Sequence, residues 1–505
     1  MRGALGLTRP YTETMSVFDT LRSSARRLLT GAPPPEKRRG LVLAGGGARA
    51  SFQLGALHRL IAVEGMHFDA IAGTSAGAIL GGVVAQYRDA AGQQQAVADL
   101  SRLWREMTGP SDMFTERTWF ELLQHQAPVW QRIMRSDAAS RTPRTIEIPS
   151  FTWPFRRGET SEPTTVSLPQ LPQAFTAISD LWSVAGPGSG FDSIARGALT
   201  SSSIFTPGPL VDRILAEAFD PARLARSGVP ARFALVSLET GALRYVDAYG
   251  QLRDRDDRPL GIEVDLVDAI AASCAIPAVF PPVRLADGEH YVDGGVRMSL
   301  PADIMLDHLP VDETYAICSA PAGVQEAESF ADSNIVSTIV RSSATLMNEE
   351  LARQELARAR AGGAIVIDPQ TEVHDAMTVA PGLIRISMDY GYLRASQVLA
   401  GASVEEQDHA RHLVEIRRLI WALQAQEQNA PPLFGAEDVA NQILAAARRA
   451  ATPESDEPDL ESLQATVRDL TLALPGSQLP PGSSTWGRRD EFITDGAGGG
   501  ELTEA

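Results

Sequence analysis

The sequence predicts an α/β protein, a mainly parallel sheet with helices on its faces. Two observations carry that prediction. A strand–glycine turn–helix unit occurs twice between Arg39 and Gln86, and short apolar runs suited to buried strands recur further along the chain. Such alternation is the pattern of parallel sheets covered by helices. In the first unit Leu41-Val42-Leu43-Ala44 is the strand and Gly45-Gly46-Gly47 the turn. Ser51 to Glu64 follows as a helix with Phe52, Leu54, Leu57, Leu60 and Ile61 inward. In the second, Phe68 to Ala72 leads through Gly73-Thr74-Ser75-Ala76-Gly77 into a helix from Ala78 to Gln86. Later strands are expected at Phe233 to Leu238, Tyr291-Val292, Thr314 to Cys318 and Ala364 to Ile367.

Around this body the chain divides by composition. Residues 1–36 hold a short amphipathic helix, with Val17, Phe18, Leu21, Ala25, Leu28 and Leu29 on one side and Arg22, Arg26 and Arg27 on the other. Such a helix packs on the body or lies on an anionic membrane. Pro33-Pro34-Pro35 then makes a stiff linker to the domain expected over residues 37–400. Within it, about 108–206 reads as an inserted cap, rich in Pro, Ser and Thr yet carrying Trp119, Phe120, Trp130, Phe151, Trp153, Phe155, Phe175 and Trp182. With Trp104, five of the seven tryptophans fall between the second helix and Pro207, as expected of a cap that lines an apolar pocket, meets an interface or forms a small core of its own. Helices are expected from about Ile335 to Arg360, from Val404 to Gln426 and from Glu437 to Arg449, the last two making a C-terminal helical region over 401–450. Residues 451–505 read as an acidic, disordered tail.

The bulk properties narrow the function. The 505 residues are 44% apolar and 21% charged, an ordinary globular composition. Much of the formal charge of −18 sits in the tail, where eleven Asp or Glu face three Arg. No basic stripe marks a nucleic-acid partner. Cys274 and Cys318 make no disulfide framework and fit a reducing, cytoplasmic setting as small buried hydrophobes. No apolar run is long enough to span a bilayer, and the N-terminal stretch does not read as a signal peptide, which leaves a soluble or peripheral protein. No His, Cys and acidic residues cluster at metal-ligand spacing, so neither a metal nor an organic cofactor is expected.

Three glycine turns carry the chemistry. Gly73-Thr74-Ser75-Ala76-Gly77 fits G-x-S-x-G, the tight strand-to-helix turn that bares a serine hydroxyl at a helix N-terminus. Gly45-Gly46-Gly47-Ala48-Arg49 can turn consecutive amides toward an oxyanion, because glycine tolerates the backbone conformations this requires. Gly45, Gly47 and Ala50 also fit a dinucleotide-binding fingerprint. That reading wants an acidic residue closing the second strand, where Asp69 begins it instead. Tyr291-Val292-Asp293-Gly294-Gly295 ends a strand in an aspartate released into a Gly-Gly turn, whereas Asp287-Gly288 and Asp495-Gly496 read as ordinary turns.

From about Arg39 to Ser319, the cap aside, the chain resembles the patatin-like phospholipases. The three turns occur in that family's order. Ala272-Ser273-Cys274-Ala275-Ile276-Pro277-Ala278-Val279-Phe280-Pro281-Pro282-Val283 is similar to its A-S-x-A-I-P-x-x-F-P-P-V segment. Ala50 departs from it, standing where the family usually has glycine. The resemblance implies a three-layer α/β/α sandwich with an inserted cap and C-terminal helices. It implies a serine–aspartate dyad in which Ser75 attacks an ester carbonyl and Asp293 is the base. It further implies an oxyanion hole of the Gly46, Gly47 and Ala48 amides, with Gly45, Arg49, Gly73, Gly77, Gly294 and Gly295 in support. Arg49 either fixes its loop or meets a lipid phosphate. The expected substrate is a phospholipid or lysophospholipid at a membrane or micelle surface, with peripheral membrane contact.

A carboxylate base needs a raised pKa, which burial supplies. No histidine sits in a turn that reaches Ser75. His290 points to the opposite face from Asp293 by strand alternation, His58 and His67 flank the first helix, and His125 lies in the cap. His308, His374, His409 and His412 lie in segments without a motif. Two other readings stay open: a soluble-ester hydrolase with a conventional Ser-His-Asp triad, and a catalytically silent membrane-binding protein of the same fold.

Overall fold

A computed structural model of the chain describes residues 37–118, 201–323, 342, 346–427, 440–441, 443–444, 460–488 and 491–492. Its centre is a ten-stranded sheet. Strands β1 (Arg39–Leu43), β2 (Ala70–Thr74), β5 (Ala231–Ser237), β11 (Glu313–Ile317) and β12 (Ile365–Ile367) form a parallel block in the order β12-β11-β1-β2-β5. Beyond β5 the sheet turns antiparallel through β6 (Leu243–Asp247), β7 (Gln251–Arg253) and β8 (Pro259–Glu263). These last strands are short and interrupted by polar residues, so their hydrophobic alternation is faint in the sequence. A two-stranded ribbon of β3 (Phe114–Glu116) and β4 (Phe205–Pro207) joins the two stems of the expected cap.

The sheet separates two cores, as a three-layer sandwich requires. Leu41, Leu43, Ile71, Phe233 and Ile317 face one side, where they meet α1 (Ala50–Leu57), α2 (Ala76–Val84), α3 (Ala90–Arg105), α4 (Leu266–Ser273) and α7 (Pro381–Ala400). Val42, Ala72, Ala234, Val236 and Ala316 alternate onto the other side, against α5 (Ala302–His308) and α6 (Met347–Ala361). The three-layer α/β expectation therefore holds, with an antiparallel extension that the sequence reading did not include.

Helix α1 runs straight into a π-helical turn, His58–Val63. Together they lie on α7, backbone against backbone. A Cβ on Gly55 would stand 1.8 Å from Met388 O, and one on Gly391 would stand 1.9 Å from Phe52 O. Helix α8 (Val404–Glu427) follows, and a third core joins Leu393 of α7, Leu413 and Ile420 of α8, and Leu463 and Val467 of α9 (Leu460–Ala473).

That last element corrects the expectation of a disordered acidic tail over 451–505. Leu460, Leu463, Val467 and Leu470 make a helical stripe that the average composition of the segment hides, and Trp486 is buried beside it. Arg417 is buried completely. Its guanidinium meets Glu491 at 2.7 Å and Asp389 at 2.8 Å and lies over the Trp486 ring at 4.1 Å. Residues 1–36, most of the cap with Trp119, Trp130, Trp153 and Trp182, and the rest of the tail lie outside the described residues. Trp104 belongs to α3 and is buried in the main core.

The α1–α7 crossing has a direct test. Gly55→Ala and Gly391→Ala should each destabilise the fold by about 3 kcal/mol or more, because the added methyl meets backbone that cannot move aside. Thermal or urea denaturation reads the loss. Gly476→Ala, with open space around the new methyl, should stay within about 0.5 kcal/mol of the parent.

Candidate active site

Strand β5 brings two distant turns together. Along one edge its first half pairs with β2, ending at Thr74 opposite Ala234. Its second half pairs with β10 (His290–Asp293), itself paired with β9 (Val283–Arg284); β10 runs the other way and ends with Asp293 opposite Leu235. The C-terminal ends of β2 and β10 thus meet head to head across one peptide of β5. Ser75 and Asp293 follow from that register, both only 5% exposed, and the Ser75 side chain is near enough to the Asp293 carboxylate to favour its charged form.

The Ser75 turn is strained and held from several directions. Its φ of 55° and ψ of −129° lie where side chains rarely go, as a strand-to-helix elbow demands. The Ser75 amide donates to Ser273 Oγ at 3.0 Å, and Ser273 Oγ donates in turn to Ala234 O at 2.6 Å. Thr74 Oγ1 donates to Met298 O at 2.9 Å. The flanking glycines permit close backbone approach: a Cβ on Gly73 would lie 2.4 Å from Gly77 O, and one on Gly77 2.5 Å from Leu43 O.

Asp293 sits where the β10 strand becomes a 3-10 turn. Its Oδ1 accepts from Gly295 N at 2.7 Å, and its own amide donates to Ala275 O at 2.9 Å. Gly294 packs against Ala234 O, leaving no room for a Cβ. Burial pushes the Asp293 carboxyl up to about 6 from an ordinary 3.8, against the opposing pull of the Ser75 side chain and of the hydrogen bond from Gly295. Cys274 is nearby, and burial together with the Asp293 charge pushes its thiol up.

The glycine loop lies against the Ser75 turn, since a Cβ on Gly45 would stand 3.3 Å from Ser75 Cβ. Gly45 itself donates to Ser299 O at 2.9 Å. One expected member is corrected here. The Ala48 amide donates to Ala376 O at 2.9 Å, so it is not available to an oxyanion. Ala376 belongs to a segment that covers the loop, where Glu372 pairs with Arg49 at 3.0 Å and His374 Nε2 lies 3.3 Å from Ser51 Oγ. Arg49 therefore ties its loop to that segment. Gly47, with φ of 55°, packs so closely on Ala376 O that a Cβ would lie 2.4 Å from it.

None of the described histidines hydrogen-bonds Ser75 or Asp293. His290 Nδ1 meets Glu239 at 2.7 Å on the surface, and the His58 ring lies tilted against Tyr392. His374 is buried in the covering segment, where burial holds its imidazole down at about 4. His125 lies outside the described residues.

Sequence reasoning missed Ser273 as a contact of the Ser75 turn, although it quoted the residue. A serine closing a mostly apolar helix in that segment was the available signal. The same segment holds the stem of the insertion. Ile204 N and Phe205 N donate to Ala278 O and Val279 O, and Phe114 stacks on Phe280 at 5.7 Å between ring centres.

A family model described as patatin-like phospholipase matches residues 41–306, just over half of the chain. Among solved structures the chain is similar to VipD from Legionella pneumophila, at 15% identity over 88% of this chain and 85% of that one, with a TM-score of 0.32. It is also similar to ExoU in its complex with SpcU from the type III secretion system of Pseudomonas aeruginosa. There the identity is 15%, over 86% of this chain and 69% of that one, and the TM-score is 0.22. Likenesses so remote carry no argument about the site. No curated protein matches. The match over more than half of its length places the chain in the patatin-like phospholipase family of lipid acyl-hydrolases.

Proposed function

We propose that the protein hydrolyses carboxylic ester bonds of phospholipids or lysophospholipids through an acyl-enzyme on Ser75, with Asp293 as base. The observation that carries this reading is the placement of Ser75, in its strained elbow, beside a buried carboxylate whose affinity for protons is raised. Ser75 Oγ attacks the ester carbonyl as Asp293 takes its proton. Asp293 then gives that proton to the departing alcohol oxygen, leaving the acyl group on Ser75. In the second half Asp293 takes a proton from water, the hydroxide attacks the acyl carbonyl, and the proton returns to Ser75 Oγ as the carboxylic acid leaves.

The negative charge that develops on the carbonyl oxygen needs fixed donors. Gly46 and Gly47 remain candidates from the glycine loop. Ala76, the first residue of α2, adds an amide at a helix N-terminus, the position next to the serine that such elbows use. Gly45, Gly73, Gly77, Gly294 and Gly295 shape the backbone around these groups, and Arg49 holds the loop through Glu372. Substrate is met at a membrane or micelle surface as a peripheral contact; among the described residues no helix is long and apolar enough to cross a membrane.

Ser75→Ala and Asp293→Asn should each abolish hydrolysis across a phospholipid and lysophospholipid panel while the fold survives, and the double variant should be little worse than either one. A fluorophosphonate probe should label the parent and not Ser75→Ala. Near-native turnover by Asp293→Asn would refute the dyad. Single replacement of each of the eight histidines should cost only modest activity, and a loss of roughly 10³-fold at one of them would point to a conventional triad instead.

The raised carboxyl gives two linked pH effects. Only the ionised base accepts a proton, so kcat/KM should rise with pH through a single step centred near 6. Stability runs the other way. The folded state holds this proton more tightly than the unfolded chain, so the contribution is greatest below the ordinary value of 3.8 and is lost as pH rises through about 6. A shift of that size corresponds to about 3 kcal/mol. Asp293→Asn should therefore melt at a higher temperature than the parent at pH 8, with the gap closing below pH 4.

A further inference from the structure

Glu355 lies on α6, outside the stretch that the family model matches, and its carboxylate is buried. Its two oxygens accept from two successive amides, Oε1 from Ser299 N at 3.2 Å and Oε2 from Leu300 N at 2.8 Å. Those amides belong to the loop that leaves the Asp293 turn, whose start is fixed by the hydrogen bond from Met298 N to Gly294 O at 2.8 Å.

The other ends of the same two peptide units face the proposed catalytic turns. The unit whose N–H is that of Ser299 has Met298 O as its carbonyl, and Met298 O accepts from Thr74 Oγ1 at 2.9 Å. The unit whose N–H is that of Leu300 has Ser299 O as its carbonyl, and Ser299 O accepts from Gly45 N at 2.9 Å. One carboxylate thus grips two peptide planes from behind. In front, one plane holds the residue before Ser75 and the other holds the first residue of the glycine loop. Taking a carboxylate out of water is costly, and these two amides offset only part of that cost: burial pushes the Glu355 carboxyl up to about 7 against the pull of both hydrogen bonds.

We infer that Glu355 is a positioning residue, which sets the distance between the Ser75 turn and the glycine loop through the Met298–Ser299 and Ser299–Leu300 peptides. The inference rests on the proposed roles of those two turns. Both carboxylate oxygens are needed. A glutamine can accept with one oxygen only and would set its NH2 against an amide N–H. A small displacement of aligned groups costs far more in rate than in binding, on the order of 10²-fold when it approaches an ångström.

The test compares the parent with Glu355→Gln, Glu355→Asp and Leu356→Ala. Leu356 neighbours Glu355 on α6 and is buried in the core between α6 and the sheet, in the same cluster as Met298 and Leu300, so it reports the cost of loosening that packing with both Glu355 hydrogen bonds kept. Each variant is assayed for kcat, KM and the rate of fluorophosphonate labelling, all per folded molecule as counted by circular dichroism. We expect Glu355→Gln to lose on the order of 10²-fold in kcat and in labelling rate with KM within about twofold. Glu355→Asp, which keeps the charge but withdraws both oxygens by one methylene, should fall between it and the parent. Leu356→Ala should melt earlier and keep parental kcat per folded molecule. If Glu355→Gln does not fold, Glu355→Asp decides by the same comparison. A Glu355 variant that melts early yet labels and turns over at the parental rate overturns the inference and leaves the dyad standing. Failure of the parent itself to be labelled at Ser75 overturns the reading of the site instead.

Discussion

A single strand edge can pair with only one partner at each position, and β5 divides its edge between β2 and β10. Because the two partners run in opposite directions, their C-terminal ends must meet, and whatever follows them is forced into one place. That constraint makes a Ser–Asp contact out of residues more than two hundred positions apart in sequence. It also makes the site sensitive to register. A slip of one residue in either pairing would turn the terminal side chain to the opposite face of the sheet and break the contact. The buried alternation of Leu41, Leu43 and Ile71 against Val42 and Ala72 fixes the register by fixing which residues can enter each core.

Strain at Ser75 persists because its neighbours determine it in excess. The elbow is followed by a helix that cannot shift without separating Gly77 from Leu43 O, and it is preceded by Thr74, anchored on Met298 O. Ser273 closes the remaining freedom by holding the Ser75 amide and Ala234 O at once. The segment from Ala272 to Val283 therefore serves three places. Ser273 braces the Ser75 elbow, Ala275 O holds the Asp293 amide, and Ala278 with Val279 carries the stem of the insertion. A run that touches both halves of the proposed dyad and the base of the cap can tolerate few substitutions. This gives a physical reason for so idiosyncratic a sequence.

What could be read in the sequence was local. The G-x-S-x-G turn and the Asp-Gly-Gly turn each announce their geometry within a few residues, because glycine placement and strand length dictate it. The parallel strands were legible for the same reason, as compact apolar runs. Ala48 shows where local reading ends. Its amide looks free in sequence, yet the carbonyl that takes it belongs to Ala376, more than three hundred residues later. Strands β6 to β8 were missed because β7 is too short and β8 too exposed to show apolar alternation, while β6, though largely buried, carries Arg244 and Asp247 within its five residues. Helix α9 was missed because an acidic average masked a narrow apolar stripe, and nothing local announces that Arg417 needs the tail's Glu491 to balance its buried charge.

The contacts from beyond residue 306 are what extend the working unit past the family's matched span. Glu355 reaches the loop that braces Gly45 and Thr74, Ala376 takes an amide of the glycine loop, and Glu372 binds Arg49. Helix α7 then presses on α1, the helix that continues that loop, at a distance only paired glycines allow. Helix α7 is in turn backed by α8 and α9, and the buried Arg417 joins Asp389 of α7 to Glu491. A buried carboxylate that must ionise, as the proposed role of Asp293 requires, lowers the stability of the folded state, and a strained serine lowers it further. Extra core supplied at the C-terminus offsets both at a place remote from the substrate. On this reasoning the C-terminal helices are part of what lets the site hold an unfavourable geometry, and their apolar stripe is as much a requirement of the chemistry as the glycine turns.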